Sequence, residues 1–269
     1  MEARRLTDDI VTFSSFVPLP GLGVLPVNAY LIKAQEPVLV DTGMGVESAA
    51  YLDTLRTVMD PQELKWIYLT HPHPDHTGSM HALLNEVPGL RVITTFAAFG
   101  LMSVGDPVAM DRVYLLNPGE SLDVGDRLLA AMRPPTFDDA TTTCFFDTKS
   151  KALFSSDSFG ALLPVEAERA EDVEKETLAG GQRLWASFDS PWLQNTDAAK
   201  FQAGLKSFAS LEPKWILSAH LPPAAKMSDV LLQTLAGLPG SEPFVGPNQA
   251  ALEAMLAQMT AGPSATEAS

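Results

Sequence analysis

The chain of 269 residues (28.9 kDa) is 46% hydrophobic and 19% charged, values that are typical of a globular protein and exclude disorder over most of its length. Its 18 Lys and Arg against 33 Asp and Glu give a formal net charge of -15, which argues against nucleic acid or an anionic membrane surface as a partner. The N-terminus lacks a signal-peptide pattern and no apolar run is long enough to span a membrane, so a cytoplasmic location is expected.

The first half of the chain predicts strands that alternate with helices. Short apolar runs between turn residues predict strands at 10–17, 27–33, 37–40, 65–70, 91–93 and 113–116. Helices are predicted between the later strands, at 46–59, 78–85 and 95–104.

The second half predicts an antiparallel meander followed by helices around one more buried strand. The meander strands are expected at 123–132, 143–147 and 151–155. A long, irregular, acidic stretch follows Asp157 and leads at about Leu178 into helices that continue to about Leu211. The last strand is predicted at 215–218, and two short helices close the chain.

These elements predict one domain over residues 1–260, followed by a small, polar tail at 261–269 that is expected to be disordered. Two sheets with helices outside them give an α/β fold with the plan of a four-layer αββα sandwich. The one cysteine, Cys144, lies in a predicted strand, so we expect a buried and inert thiol rather than a disulfide or a thiolate zinc site.

Three imidazoles and a carboxylate lie within six residues, directly after a predicted strand. Residues 71–78 read His-Pro-His-Pro-Asp-His-Thr-Gly, and the chain has five histidines in all. Imidazole and carboxylate groups are ligands of zinc, iron and manganese. Because alternate side chains of extended backbone point the same way, His71 and His73 can converge on one ion. Asp75 and His76 follow the turn and can bind a second ion nearby.

The pattern H-x-H-x-D-H followed by Thr-Gly resembles the signature of the metallo-β-lactamase fold superfamily. Three further segments resemble motifs of that superfamily in the same order: Asp41-Thr42-Gly43, Leu153 to Asp157, and Leu217 to His220. The resemblance covers most of the chain. It implies an αββα sandwich with a binuclear metal site at one edge, between the sheets.

The resemblance also assigns site residues. The metal ligands that it implies are His71, His73, Asp75, His76, Asp157 and His220. In this assignment Asp157 bridges the two ions, and Asp41 orients a ligand by a hydrogen bond from outside the coordination sphere. His81, on the helix after the motif, is expected at the surface.

One expected ligand is missing, because the superfamily usually supplies a third histidine to the first ion and this chain has no histidine from 82 to 219. Asp138 falls about where flavodiiron-like members place that histidine, so we predict that Asp138 replaces it. Asp139 is one alternative ligand. In the other alternative, the two aspartates only cap a helix or turn, and the first metal site is weakened. Two histidines and one carboxylate favour Fe(II) or Mn(II) more than three histidines do.

The superfamily resemblance favours a metal-dependent hydrolase of a small ester, thioester or lactone. Two divalent ions, zinc as first expectation and iron or manganese as alternatives, would hold the attacking hydroxide. Asp75 would act as the catalytic residue that orients the hydroxide and moves a proton to the leaving group. The expected partner is a small-molecule substrate, and a homodimer is compatible with the sequence although no segment marks an interface.

Two other functions remain open. A mono- or di-iron oxidoreductase acting on O2 or a sulfur substrate is favoured by the missing histidine and by segment 153–160, which is similar to that of flavodiiron proteins. Those proteins generally carry glutamate at the position of His73 and often a flavodoxin domain, for which the segment after His220 is too short. Such an enzyme would need a separate electron donor or an oxidisable substrate. The third reading is a non-catalytic, ligand-binding member of the fold.

The segment from Ser158 to Trp192 follows the bridging Asp157 and contains several large apolar residues. We interpret it as a lid that forms an apolar substrate wall, with Gly180-Gly181 as a hinge. The alternative is an ordinary helical cover for the sheet.

Overall fold

The computed structural model describes residues 1–260, which contain two β-sheets packed face to face. The strands of the first sheet lie in chain order, as β1 (Glu2–Arg5), β2 (Ile10–Leu19), β3 (Gly23–Ile32), β4 (Val38–Val40), β5 (Trp66–Tyr68), β6 (Arg91–Thr94) and β7 (Val113–Leu115). The strands of the second sheet are β8 (Ser121–Asp123), β9 (Leu128–Met132), β10 (Cys144–Asp147), β11 (Ala152–Phe154), β12 (Trp215–Leu217) and β13 (Ala224–Ala225). Their spatial order is β13-β12-β11-β10-β9-β8. The tail at 261–269 lies outside the described residues.

Helices flank both sheets, and those that contribute to the two outer apolar layers cover the outer faces of the sheets. Those before the meander are α1 (Ser48–Val58), α2 (Pro74–Thr77), α3 (Met80–Glu86) and α4 (Phe96–Gly105). Those after it are α5 (Lys175–Asp189), α6 (Ala198–Ala209), α7 (Ser228–Ala236) and α8 (Gln249–Thr260). The predicted four-layer αββα sandwich is confirmed. Within the described range no helix is long and apolar enough to cross a membrane.

Strand alternation divides the apolar side chains among three buried layers. In β5, Trp66 and Tyr68 face the second sheet, while Ile67 joins the layer beneath the first group of helices. Between the sheets, Phe145 stacks on Phe154 with ring centroids 4.7 Å apart. This central layer holds the two sheets in fixed relation, and therefore also the loops at their shared edge.

The site is positioned by the carboxyl ends of four strands. Strands β4 and β5 pair in parallel, as do β11 and β12 in the other sheet. Asp41 follows β4, the loop with His71 follows β5, Asp157 follows β11 and His220 follows β12. Because parallel strands end at the same edge, residues far apart in sequence meet there.

Two strands were not predicted. Strand β1 is charged and joins the sheet through backbone pairing with β2, and β13 has only two residues. The strand predicted at 123–132 is split into β8 and β9 by a turn in which Gly125 has a φ of 96°. The Gly180-Gly181 pair lies inside helix α5, which continues through it, and its role as a hinge stays a prediction. A Cβ on Gly181 would lie 2.1 Å from the Leu162 carbonyl oxygen, so this glycine allows close packing.

Candidate metal centre

The histidine-rich loop is fixed by tight backbone packing. It leaves β5 in extended conformation, and Pro74 starts α2 immediately after His73. The Thr42 amide and hydroxyl both donate to the His76 carbonyl, at 2.7 and 2.9 Å. A Cβ on Gly78 would lie 2.2 Å from the Gly45 nitrogen, so glycine is needed where this loop meets the one after β4. The glycine that ends the motif therefore has a structural cause.

One group of predicted ligands surrounds Asp138. The Nε2 of His71 lies 3.5 Å from Oδ2 of Asp138 and 3.5 Å from Oδ2 of Asp157. The Nδ1 of His73 lies 3.0 Å from the same Asp138 oxygen. We call His71, His73 and Asp138 the first cluster. Their ligand atoms lie within 4.8 Å of one another, close enough to hold a single ion.

A second group lies on the other side of Asp157. The Nε2 of His76 is 3.2 Å from Oδ1 of Asp157 and 3.4 Å from Oδ2 of Asp75. The Nε2 of His220 is 3.3 Å from that Asp75 oxygen and 3.5 Å from Oδ1 of Asp157. We call Asp75, His76 and His220 the second cluster. Asp157 thus presents one carboxylate oxygen to each cluster, which is the geometry expected of a bridging ligand.

Hydrogen bonds from outside the clusters orient the imidazoles. Oδ2 of Asp41 accepts from Nδ1 of His76 at 2.8 Å, and Asp41 is held in turn by the Thr70 amide at 2.9 Å and the Thr70 hydroxyl at 2.8 Å. Nδ1 of His220 donates to the Pro26 carbonyl at 2.9 Å. With the proton on Nδ1, each ring directs the Nε2 lone pair toward the centre.

Left-handed backbone marks the loops at the centre. Asp41, Ser156 and Phe159 have φ values of 57°, 53° and 68°, in the region that favours glycine. The Ser156 conformation places its hydroxyl 3.0 Å from the Thr70 hydroxyl and 3.2 Å from Nδ1 of His71. The left-handed turns at Asp41 and Ser156 therefore direct their side chains toward the site, whereas Phe159 packs in the apolar layer of the second sheet.

The loop between β9 and β10 separates the roles of two neighbouring carboxylates. Oδ1 of Asp138 accepts from the Thr142 hydroxyl at 2.5 Å, which leaves Oδ2 facing His71 and His73. Asp139 uses Oδ1 to accept from the Thr141 amide and hydroxyl, and its Oδ2 is 3.6 Å from Nε2 of His73. The structure thus brings Asp138 into the first cluster and leaves Asp139 at its rim.

The donor set fits a pair of divalent cations. Within the described residues, four buried ligand atoms have no hydrogen-bond partner: Nε2 of His71, Nε2 of His76, Oδ1 of Asp157 and Oδ2 of Asp138. Buried polar atoms without partners are unfavourable, and coordination to a cation satisfies lone pairs of this kind. By contrast His81 lies apart from both clusters and pairs with Asp106 at 2.7 Å near the surface, as expected.

Burial and mutual charge shift the protonation of these groups. Burial, with His76 beside it, lowers the pKa of His71 and favours a neutral ring. Although burial opposes them, Asp41 and Asp157 raise the pKa of His76 well above its usual value. The histidines hold the pKa of Asp157 well below its ordinary range, again against burial. The carboxylate that links the clusters is therefore ionised and able to bind a cation.

Sequence reasoning missed Asp189, the last residue of α5. One carboxylate oxygen of Asp189 lies within 4.8 Å of oxygens of both Asp138 and Asp157. Burial, with those two carboxylates nearby, raises the pKa of Asp189 to about 8. No sequence signal marked it, because it ends an amphipathic helix and belongs to no metal-binding motif.

The predicted lid contributes a wall beside the second cluster. The Trp185 ring lies 4.6 Å from the His220 ring, and its Nε1 donates to the Asp157 carbonyl at 3.0 Å. Trp185 also lines an apolar cavity of about 190 Å³, together with Leu19, Leu22, Leu25, Leu162, Leu184, Phe188 and Phe244. Whether this segment acts as a lid remains a prediction.

Comparison with known proteins gives a family match and two groups of relatives. The family model described as ODP family beta lactamase matches residues 25–220. The flavo-diiron protein FprA2 of Clostridium acetobutylicum is 31% identical over 47% of this chain, which is 34% of its own length. The anaerobic nitric oxide reductase flavorubredoxin of Vibrio vulnificus is 26% identical over 55% of this chain and 31% of its own. The chain therefore spans about a third of these curated relatives.

Solved structures agree on the fold. The rubredoxin oxygen:oxidoreductase of Desulfovibrio gigas superposes with a TM-score of 0.76 at 19% identity, over 87% of this chain and 61% of that one. A fragment of the putative diflavin flavoprotein A 5 of Nostoc sp. PCC 7120 gives 0.71 at 17% identity, over 96% and 98% of the two chains.

These findings overturn the expected hydrolase. The named relatives are flavodiiron proteins and oxidoreductases, so the expectation of ester, thioester or lactone cleavage is wrong. Zinc as first choice of metal is likewise unsupported, since the relatives are named for iron. The physical reason lies in the donor set, because Asp138 stands where a third imidazole was expected and carboxylates suit Fe(II) and Mn(II) better than zinc.

Proposed function

The chain belongs to the ODP family of beta-lactamase domains, and from this premise we propose that it is a non-haem di-iron oxidoreductase that acts on O2. The observation that carries the proposal is the pair of clusters that share Asp157, with one carboxylate oxygen toward each. The flavodiiron relatives support iron as the metal. Because the chain spans about a third of the length of these relatives, we assign their type of activity to it only as a proposal.

In this proposal the first cluster, His71, His73 and Asp138, holds one iron, and the second, Asp75, His76 and His220, holds the other. Asp157, with one carboxylate oxygen toward each cluster, would be the ligand that the two sites share. When bound, two such ions would supply reducing equivalents and open coordination positions for O2. Full reduction of O2 to water takes four electrons and four protons, so an electron donor is part of the proposal.

The protein's own groups prepare the site. Asp41 and the Pro26 carbonyl keep the Nδ1 protons of His76 and His220 away from the cation side. Trp185 covers His220, which limits access of water from that direction and favours a small, uncharged substrate such as O2. We further propose that neither nucleic acid nor an anionic membrane is a partner, because the net charge of -15 would repel both. A cytoplasmic location and a homodimer are also proposals.

A single-turnover experiment tests the function without the natural donor. Protein loaded anaerobically with Fe(II) is mixed with limiting O2, and O2 consumption and iron oxidation are measured together. We expect two Fe(II) bound per chain and O2 consumed as they oxidise. His76→Ala should weaken Fe(II) binding at one of the two sites by more than about tenfold and slow O2 consumption to the rate of free Fe(II).

The matched control is His81→Ala, which removes a histidine outside both clusters. It should retain the iron content and O2 consumption of the wild type. Equal O2 consumption by His76→Ala and wild type, or two bound Fe(II) that O2 does not oxidise, contradicts the proposed function.

A further inference from the structure

The carboxyl-terminal half of α5 turns one face toward the metal centre. Trp185 and Asp189 are four residues apart and therefore lie on the same side of the helix. Trp185 contacts the His220 ring in the second cluster, whereas Asp189 approaches Asp138 in the first cluster and the shared Asp157. Helix α5 thus places a side chain beside each cluster, although no motif marks it.

The position of α5 is tightly determined. A Cβ on Gly160 would lie 2.5 Å from the Trp185 ring, so the loop after Asp157 touches the helix directly. The end of α5 is also tied to the Asp138 loop, because the Ser190 hydroxyl and the Trp192 indole both donate to the Phe137 carbonyl, at 3.1 and 2.7 Å. The residues that follow Asp189 and the residue that precedes Asp138 are therefore held together.

Asp189 is buried, with 9% of its surface exposed, and it faces two other carboxylates. The Ser190 hydroxyl contacts its Oδ2 at 3.0 Å. Gathering buried carboxylates is unfavourable unless a cation compensates their charge. An independent observation points to the same place: Nε2 of His71, fully buried and without a hydrogen-bond partner in the described chain, lies 3.5 Å from both Asp138 and Asp157.

We propose that Asp189 is a further carboxylate ligand of the cation held by His71, His73 and Asp138. This inference rests on the metal centre of the proposed function but not on its redox chemistry. An added oxygen ligand makes the first site harder and more anionic, so Asp189 biases that site toward Mn(II) and Fe(II) relative to Zn(II). Asp189 is thus a determinant of metal selectivity supplied from the helical layer.

The test uses Mn(II) alone as the probe, titrated into metal-free protein and followed by the electron paramagnetic resonance signal of free Mn(II). Asp189→Asn keeps the size of the side chain and removes its charge. We expect one of two Mn(II) sites to weaken by about 10- to 100-fold. Zn(II) affinity, measured by chelator competition, should fall less. Asp172→Asn, which removes an exposed carboxylate away from the centre, should leave both metals unaffected.

The outcomes separate the two proposals. Unchanged Mn(II) binding by Asp189→Asn overturns the ligand role, as does a wild type that binds no Mn(II). Two intact Mn(II) sites in a protein whose Fe(II) form consumes no O2 contradict the proposed function and leave the ligand role standing. A purely structural role predicts a lower Tm of metal-free Asp189→Asn with unchanged Mn(II) affinity, which also overturns the inference.

A second variant keeps the test decisive if Asp189→Asn does not fold. Asp189→Ala removes the carboxylate and leaves no polar group to bury at the end of α5. It should weaken the same Mn(II) site by about 10- to 100-fold. Mn(II) affinity equal to that of the wild type contradicts the ligand role.

Discussion

Replacing Asp41 by asparagine should weaken metal binding by moving one proton on His76. In the native protein both carboxylate oxygens of Asp41 accept: Oδ1 from the Thr70 amide at 2.9 Å, and Oδ2 from Nδ1 of His76 at 2.8 Å. An asparagine has one accepting oxygen. If that oxygen keeps the hydrogen bond from the Thr70 amide, the NH2 group of the asparagine faces Nδ1 of His76. The NH2 group is a donor, so Nδ1 must then present a lone pair. The imidazole proton then moves to Nε2, the atom that faces Asp157 and Asp75.

The size of the effect follows from this exchange. A protonated Nε2 cannot coordinate a cation, so metal binding requires the proton to return to Nδ1. There the Nδ1–H would face the NH2 group of the introduced asparagine, and two hydrogen-bond donors would oppose each other. Flipping the amide moves the conflict to the Thr70 N–H and does not remove it. Loss of a carboxylate behind a metal-bound histidine typically lowers affinity about 10- to 100-fold. That range corresponds to about 1.4–2.8 kcal/mol.

Fe(II) affinity measured anaerobically against a coloured chelator gives the assay, with thermal unfolding of the metal-free protein to confirm the fold. Asp106→Asn is the matched control, because it alters an Asp–His pair with His81 at a similar distance, 2.7 Å, outside the metal centre. Its Fe(II) affinity should equal that of the wild type. If Asp41→Asn also binds Fe(II) as tightly as the wild type, the argument from the tautomer is refuted.

Two further predictions concern packing and the thiol. Gly78→Ala places a Cβ 2.2 Å from the Gly45 nitrogen and should lower the free energy of unfolding by about 1–3 kcal/mol in chemical denaturation. Gly100→Ala, in α4 with open space around it, should instead raise it by up to about 1 kcal/mol, and equal effects of the two would contradict the packing argument. Burial raises the pKa of the Cys144 thiol well above its usual value, so the thiolate does not form at neutral pH. Native protein should react with an aromatic disulfide reagent at least about 100-fold more slowly than urea-unfolded protein, and comparable rates would show that the thiol is accessible.

The sequence was sufficient for the architecture and for the parts of the site that follow strands. The layer order followed from strands and helices that alternate in apolar pattern, and the structure confirms it. His71, His73, Asp75 and His76 are adjacent in the chain, so a short motif carries them together. The structure brings them together with Asp157 and His220. Their roles as ligands remain predictions, which the metal titrations above will test.

The parts that could not be predicted depend on tertiary contacts. Asp189 reaches the centre because Gly160 and Gly181 let α5 approach its neighbours closely, and a single sequence does not show which surfaces meet. The choice of Asp138 over Asp139 depends on hydrogen bonds to Thr142 and Thr141 that set the loop's rotation. The function was mistaken because a shared signature describes how ions are held, not which reaction they serve.

The left-handed residues around the centre have a consequence for evolution and engineering. Asp41, Ser156 and Phe159 each adopt a backbone conformation that costs a non-glycine residue about 1–2 kcal/mol. Glycine would relieve that cost, yet it would also delete the Asp41 carboxylate that orients His76, the Ser156 hydroxyl beside His71, or the Phe159 ring, which is fully buried in the apolar layer of the second sheet. At Ser156, where little apolar surface would be lost, selection for thermostability alone would favour glycine and erode the site, so libraries built for robustness should hold this position fixed.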